Sequence, residues 1–176
     1  MSRESMSVDA HRREGPDTVR CMVVTVSDTR TPETDKSGQL MMALLREHGY
    51  EVVDYRIVPD EYDRITGVLR EAAAREDVEA VLLSGGTGIA GRDTTYEAVR
   101  DVLDKEMPGF GEIFRLLSYE EIGAAAMLSR AIAGVCGQAA VFAMPGSSNA
   151  VRLALTRLIL PELRHVMREI YKDRHR

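Results

Sequence analysis

An apolar run that empties into a glycine-rich loop, followed at once by a helix, is the feature that most narrows the folds open to this chain. Residues 82–95 read LLSGGTGIAGRDTT, with four glycines and an acid in one short stretch. Ala80-Val81-Leu82-Leu83 reads as a buried strand, and Thr94 to Lys105 as the helix after it. Glycines let backbone N–H groups close on an anion and the helix N-terminus adds a favourable dipole, so the loop has the makings of a phosphate cradle. Asp93 stands at the N-cap position. A carboxylate beside a bound phosphate repels it unless a cation lies between them, which points to a magnesium ion.

Other phosphate motifs fit this stretch less well. Gly86 to Asp93 has the spacing of a Walker A loop, but Arg92 and Asp93 stand where Lys and Ser/Thr are required. The pattern G-x-G-x-x-G matches Gly86, Gly88 and Gly91, yet in a dinucleotide fold it opens the first unit and is followed about 20 residues on by an acid. Here two βα units precede it; Asp101 and Asp104 come too early, and Glu112 is only approximately placed. A bare strand-to-helix turn remains the structural alternative.

The flanking pattern supplies the architecture. Val23 to Val26 reads as a first strand ending at Ser27-Asp28, and Asp35 to His48 as a helix through Leu40, Met41, Leu44 and Leu45, closed by Gly49. Glu51 to Val58 is a second strand stopped by Pro59-Asp60, Tyr62 to Arg75 a helix, and Glu79 to Ser84 the third strand. Strand and helix alternating in this way imply right-handed crossovers and a parallel sheet. Beyond Lys105, Pro108 to Gly111 reads as a loop. A helix follows through Ile113, Phe114, Leu116 and Leu117, with Tyr119 to Ala125 continuing as helical turns. Ala131 to Cys136 and Ala139 to Met144 are strand-like about a Gly137-Gln138 turn, which places an antiparallel strand at one edge. Pro145 to Asn149 is a second loop of small residues, and helices over Val151 to Leu158 and Pro161 to Lys172 end the chain. The expected fold class is therefore α/β: three layers, a mostly parallel sheet with an antiparallel edge strand, and helices on both faces.

With 176 residues, 44% of them hydrophobic, the chain can bury one good core, so residues 18–176 are expected to form a single domain. Residues 1–17 carry mixed charge and a Gly-Pro pair and read as a mobile arm. A net charge of −5 offers no extended positive face for nucleic acid. Cys21 and Cys136 form no CxxC pair and read as small apolar strand residues in a reducing compartment. No apolar run reaches the length of a membrane span and no signal-peptide core precedes the first strand, so a cytoplasmic location is expected.

Four loops follow strands in this scheme: Ser27-Asp28, Pro59-Asp60, Gly85 to Asp93, and Pro145 to Asn149. In an open α/β sheet such loops share the ligand-binding side. They would bring together Asp28, Asp60 and Asp93, a run of backbone donors, several hydroxyls and one or more of Arg30, Arg92 and Arg130. By position alone Asp28 reads equally as a loop tether, Asp60 as a helix N-cap, and Arg92 as a solvated loop side chain. His11, His48, His165 and His175 fall in the arm or on helices and read as surface residues rather than bases.

SGGTG with a following R-D-x-T, MPGFGE at Met107 to Glu112, LSRA at Leu128 to Ala131 and MPGS at Met144 to Ser147 occur together and in order. In these motifs the chain resembles the MoaB/Mog family of molybdenum cofactor biosynthesis, from about Val19 to about Leu163, and the FRLLSYEEIG segment at Phe114 to Gly123 is similar to the MoaB branch. The resemblance implies a molybdopterin-binding domain in which the terminal phosphate of molybdopterin attacks the α-phosphate of ATP, giving adenylylated molybdopterin and pyrophosphate with magnesium required. It assigns catalysis and metal binding to Asp60 and Asp93. Substrate and nucleotide binding fall to Ser27, Asp28, Ser37 and Gly38, to Ser84, Gly85, Gly86, Thr87 and Gly88, and to Pro145, Gly146, Ser147 and Ser148. It further implies a homo-trimer or homo-hexamer, for which Phe110, Ile113, Phe114 and Leu117 offer more apolar surface than one helix needs for its own core. A non-catalytic molybdopterin carrier or scaffold of the same pathway is the alternative.

Overall fold

Alternate residues of the central strands face opposite cores, and this makes the molecule three layers deep. The computed structural model describes residues 7–10 and 15–174. In β1 (Arg20–Val26), β3 (Ala80–Ser84) and β6 (Ala139–Met144), Cys21, Val23, Leu82, Phe142 and Met144 point to one side, and Met22, Val24, Leu83, Val141 and Ala143 to the other. With β2 (Glu51–Val58), β4 (Lys105–Glu106) and β5 (Ile132–Cys136), the sheet order is β2-β1-β3-β6-β5-β4. The first four run parallel; β5 is antiparallel to β6, and β4 to β5.

Helices α1 (Lys36–Glu47), α4 (Pro108–Ile122), α5 (Ser148–Ala154) and α6 (Leu160–Tyr171) cover the first face, and α2 (Tyr62–Ala74) and α3 (Thr95–Val102) the second. Helix α1 illustrates how local signals meet tertiary ones. Asp35 caps it by accepting from Gly38 N–H, Met41, Leu44 and Leu45 bury one stripe, and Gly49 leaves it at φ +81. Both cysteines are free thiols, and burial pushes the Cys21 thiol up to about 12, so it behaves as an apolar side chain at neutral pH.

Four expectations drawn from the sequence are corrected by the fold. The helix expected to run to Lys105 stops at Val102, because Lys105 and Glu106 pair with Val135 and Gly134 to form the edge strand β4. A side chain at Gly134 would meet the Lys105 carbonyl, so this pairing requires glycine there. Pro108 to Gly111 is not a loop but the opening of α4, where proline suits the first turn because its missing N–H has no intrahelical partner there. The two last helices are joined through a wide π-type turn, Leu155–Ile159, just before Pro161, whose ring lacks the N–H that an unbroken α-helix would use. Phe110 and Phe114 are core: they stack on each other and Phe110 meets Phe142 edge-on at 5.4 Å. The exposed apolar surface lies instead at Ile113, Leu116, Tyr119 and Ile122, and at Met127 and Leu128 of the following 3-10 turn, Gly123–Leu128.

Of the expected arm, residues 1–6 and 11–14 lie outside the described residues, as do His11 and His175; Ser7 to Ala10 are helical. Arg164 of α6 donates to the carbonyl oxygens of Gly15 and Pro16.

Candidate functional site

Register brings the loops together. Thr25, Ser84 and Met144 pair across β1, β3 and β6, and Val26 pairs with Val58, so the carboxyl ends of the parallel strands finish level. Gly85 N–H donates to the Met144 carbonyl at 3.0 Å, and Gly146 packs so closely on Gly85 that a Cβ on it would sit 3.2 Å from the Gly85 Cα. Gly85 and Gly86 adopt φ +102 and +66, which L side chains rarely take up.

On the α1/α5 flank, Ser37 Oγ donates to the Gly146 carbonyl at 2.6 Å, and Arg30 Nη2 donates to the same oxygen at 3.1 Å. Ser147 caps α5 by accepting from Ala150 N–H, and Ser148, its first residue, is exposed. Ser27 Oγ accepts from the N–H groups of Thr29 and Arg30. Beneath them lies a fully buried carboxylate, Asp35. It accepts from Thr25 Oγ1 at 2.6 Å, Tyr55 Oη at 2.5 Å and Gly38 N–H at 3.0 Å, and Arg30 stands 3.7 Å away. Burial, reinforced by Asp35, holds the Tyr55 hydroxyl well above its ordinary range, so it remains a donor.

The α2/α3 flank carries the acids. By position Asp60 suits the cap of α2, but that place belongs to Glu61; Asp60 Oδ1 instead accepts from Thr94 N–H at 3.1 Å and Thr94 Oγ1 at 2.9 Å, capping α3 from another loop. This displaces Asp93, the expected N-cap of α3. Thr94 holds the cap position, and Asp93 Oδ2 closes the glycine loop on Ala90 N–H at 2.9 Å. Asp28 accepts from Asp60 N–H at 3.0 Å and takes a two-pronged contact from Arg92 at 2.9 Å per bond; the Arg92 guanidinium, with help from the Asp60 N–H, holds its carboxyl below the usual carboxylate range.

Arg130 braces the loop from outside. Its Nε donates to the Gly88 carbonyl at 2.9 Å, its Nη2 to the Asp93 carbonyl at 3.0 Å, and its guanidinium pairs with Glu97 and lies over the Tyr96 ring. Hydrogen bonding from Arg130 lowers the Glu97 carboxyl below its ordinary value. Asp93, Thr94, Glu97 and Arg130 line a cleft of about 460 Å³ beside the loop, whereas a hollow of about 510 Å³ between β4 and α6 contains none of these groups.

A family profile described as a probable molybdopterin binding domain matches residues 22–165, an interval that spans all four loops. The chain is 66% identical over 170 residues to molybdenum cofactor biosynthesis protein B of Halalkalibacterium halodurans, covering 96% of this chain and 100% of that one. The chain belongs to the molybdenum cofactor biosynthesis protein B family. The protein of that name from Bacillus subtilis is 58% identical over 170 residues, covering 96% and 100%. A crystal structure of a molybdenum cofactor biosynthesis protein B superposes with a TM-score of 0.88 at 55% identity, covering 91% of this chain and all of that one. The three-layer fold with its antiparallel edge is thus that of the family, and the chain's role lies in molybdenum cofactor biosynthesis.

In this family member the fifteen residues marked from sequence fall into two groups meeting at Gly85-Gly86. Ser27, Ser37, Gly38 and Pro145 to Ser148 belong to the α1/α5 flank; Asp28, Asp60, Thr87, Gly88 and Asp93 to the α2/α3 flank; Ser84 ends β3 between them. Sequence reasoning passed over Tyr55, Thr94 and Thr95. Tyr55 lies mid-strand with no signal distinguishing it from a core aromatic, whereas both threonines stand inside the R-D-x-T motif, where their hydroxyls are visible but the pairing of Thr94 with Asp60 is not.

Proposed function

We propose that this chain binds molybdopterin and transfers the adenylyl group of ATP to its terminal phosphate. A phosphate oxygen of molybdopterin attacks the α-phosphorus of ATP, the bond from that phosphorus to the bridging oxygen of the β-phosphate breaks, and pyrophosphate leaves. The observation that carries this reading is the placement of Asp60 and Asp93 around one glycine loop at the start of α3, opposite a serine loop at the start of α5. Phosphoryl-type transfer asks a protein mainly for alignment and charge neutralisation, and among the described residues neither carboxylate is hydrogen-bonded to a histidine.

The donor set fits a magnesium ion delivered with the nucleotide. Asp60 Oδ2 and Asp93 Oδ1 have no hydrogen-bond donor among the described residues, and magnesium commonly takes one or two carboxylates together with substrate phosphates. Among the described residues no cluster of three or more His, Cys, Asp or Glu gathers to hold a cation, so binding here leans on the phosphates. When bound, the ion neutralises charge developing on the phosphates. Asp60 and Asp93 hold it, the glycine N–H groups orient the phosphate chain, and Arg30, Ser37 and Ser147 shape the pterin side. No helix among the described residues is long and apolar enough to cross a membrane.

Purified protein mixed with molybdopterin, ATP and magnesium is expected to yield adenylylated pterin by mass spectrometry and pterin-dependent pyrophosphate. Saturable pterin binding with neither product would leave a carrier or scaffold.

The exposed apolar face of α4 and the 3-10 turn supports self-association as a homo-trimer or homo-hexamer. Ile122 is 60% exposed and Met127 78%, in a run longer than the isolated apolar residues common on monomers. Ile122→Glu is expected to shift the light-scattering mass at micromolar concentration towards the monomer. A wild-type protein already monomeric there would reject the assembly.

A further inference from the structure

Three buried side-chain hydroxyls among the described residues have no hydrogen-bond partner: Ser84, Thr95 and Ser129. Folded proteins keep few such groups, because each loses its bonds to water without replacement. Two of the three flank the glycine loop. Ser84 ends β3 immediately before Gly85, and Thr95 is the first residue of α3. Thr95 is fully buried, and its backbone N–H is committed to the Gly86 carbonyl at 3.1 Å. Its Oγ1 and Asp60 Oδ2 approach the same face of Gly86: a Cβ built there would collide with Thr95 Oγ1 and lie 2.7 Å from Asp60 Oδ2. The other Asp60 oxygen is occupied by Thr94. A hydroxyl without a partner and a carboxylate oxygen without a donor therefore converge on one point of the loop.

We propose that Thr95 is a further binding residue, whose hydroxyl hydrogen-bonds the magnesium–phosphate group of the nucleotide that Asp60 holds. The inference rests on the reading of the site as one for magnesium-ATP. It explains why an unpaired hydroxyl persists in a buried position where valine would fill the same volume. Thr95 makes no cap bond that would give it a purely local reason, since the cap position is Thr94 and the capping oxygen comes from Asp60.

The test compares Thr95→Val and Thr95→Ser with wild type, using Mn²⁺ with a non-hydrolysable α,β-methylene ATP and following water-proton relaxation or calorimetry. Thr95→Val is expected to melt at or above the wild-type temperature, because it removes an unpaired buried hydroxyl, yet to bind the manganese–nucleotide about tenfold more weakly, the scale of one hydrogen bond to a charged group. Thr95→Ser should bind as wild type, and molybdopterin binding should be the same in all three. Binding by Thr95→Val within twofold of wild type would overturn the assignment. So would a valine variant that loses stability or fails to fold, since the hydroxyl would then have a structural partner. Wild-type protein that takes up no manganese–nucleotide overturns it as well. If wild type binds the nucleotide and only the valine variant loses it, while no adenylylated pterin is formed, the role of Thr95 stands and the transfer reaction falls.

Discussion

Replacing either Asp60 or Asp93, the two acids beside the glycine loop, by its amide is expected to lower adenylylation of molybdopterin by about 100-fold or more, the scale seen when one preorganised charge stabiliser is removed. The structure makes Asp60→Asn and Asp93→Asn clean tests. Asparagine keeps an oxygen that can accept from Thr94, in the first case, and from Ala90 N–H in the second. The cap of α3 and the closure of the loop are thereby retained, and only the negative charge is lost. Melting temperatures should stay close to wild type. Turnover and thermal unfolding measured on the same preparations decide the matter: wild-type activity in either variant removes that acid from the mechanism, and a large fall in melting temperature would assign it to folding.

Truncating Arg130 is expected to injure both stability and activity. Arg130→Ala removes the donors to Gly88 and Asp93 and leaves Glu97 unpaired, at a cost of about 2 kcal/mol, the order expected for charge-assisted bonds in a partly buried site. For a chain of this size that corresponds to a fall of roughly 4–8 °C in Tm. Because the loop loses the contact that fixes the Asp93 backbone, turnover should drop by about tenfold or more even where the protein is fully folded. Arg130→Lys keeps the charge but not the fork that reaches two carbonyls and a carboxylate at once, so it should recover less than half of the loss in Tm. Acid weakens the same brace. The Glu97 carboxyl titrates below its ordinary value in the folded chain, so its stabilising contribution is complete above the unfolded value, about 4.3, and is lost as pH falls through the lowered one. The gap in Tm between wild type and Arg130→Ala should therefore narrow below pH 4. A constant gap across that range would show that the pairing with Glu97 contributes nothing.

Elements whose own residues carry their signal are legible in the sequence by itself. The alternation in β1, β3 and β6, the stripes of α1 and α2, and the glycines that need positive φ at Gly49, Gly85 and Gly86 are local facts of composition and spacing. Together they imply level strand ends and hence one ligand-bearing edge. Elements decided by a distant partner are not legible in this way. Lys105-Glu106 has no strand signal and becomes β4 through pairing with Val135 and Gly134, and Pro108, which reads locally as a break, instead begins α4.

The chain's own residues determined its family, its layer architecture and which loops gather at the carboxyl ends of the parallel strands, because periodicity and motif spacing are properties of neighbouring positions. Only the tertiary structure decided what each polar side chain does there. Asp60, which local rules made a cap for α2, caps α3 instead; Asp93 is released from capping to close its own loop; Asp35 is buried under Thr25 and Tyr55; and Arg130 reaches the glycine loop from the chain segment just before β5. The physical reason is that a carboxylate or guanidinium takes whichever donors or acceptors the packed fold brings within about 3 Å, and apart from Ala90, three residues from Asp93, those partners lie ten to about forty residues away along the chain.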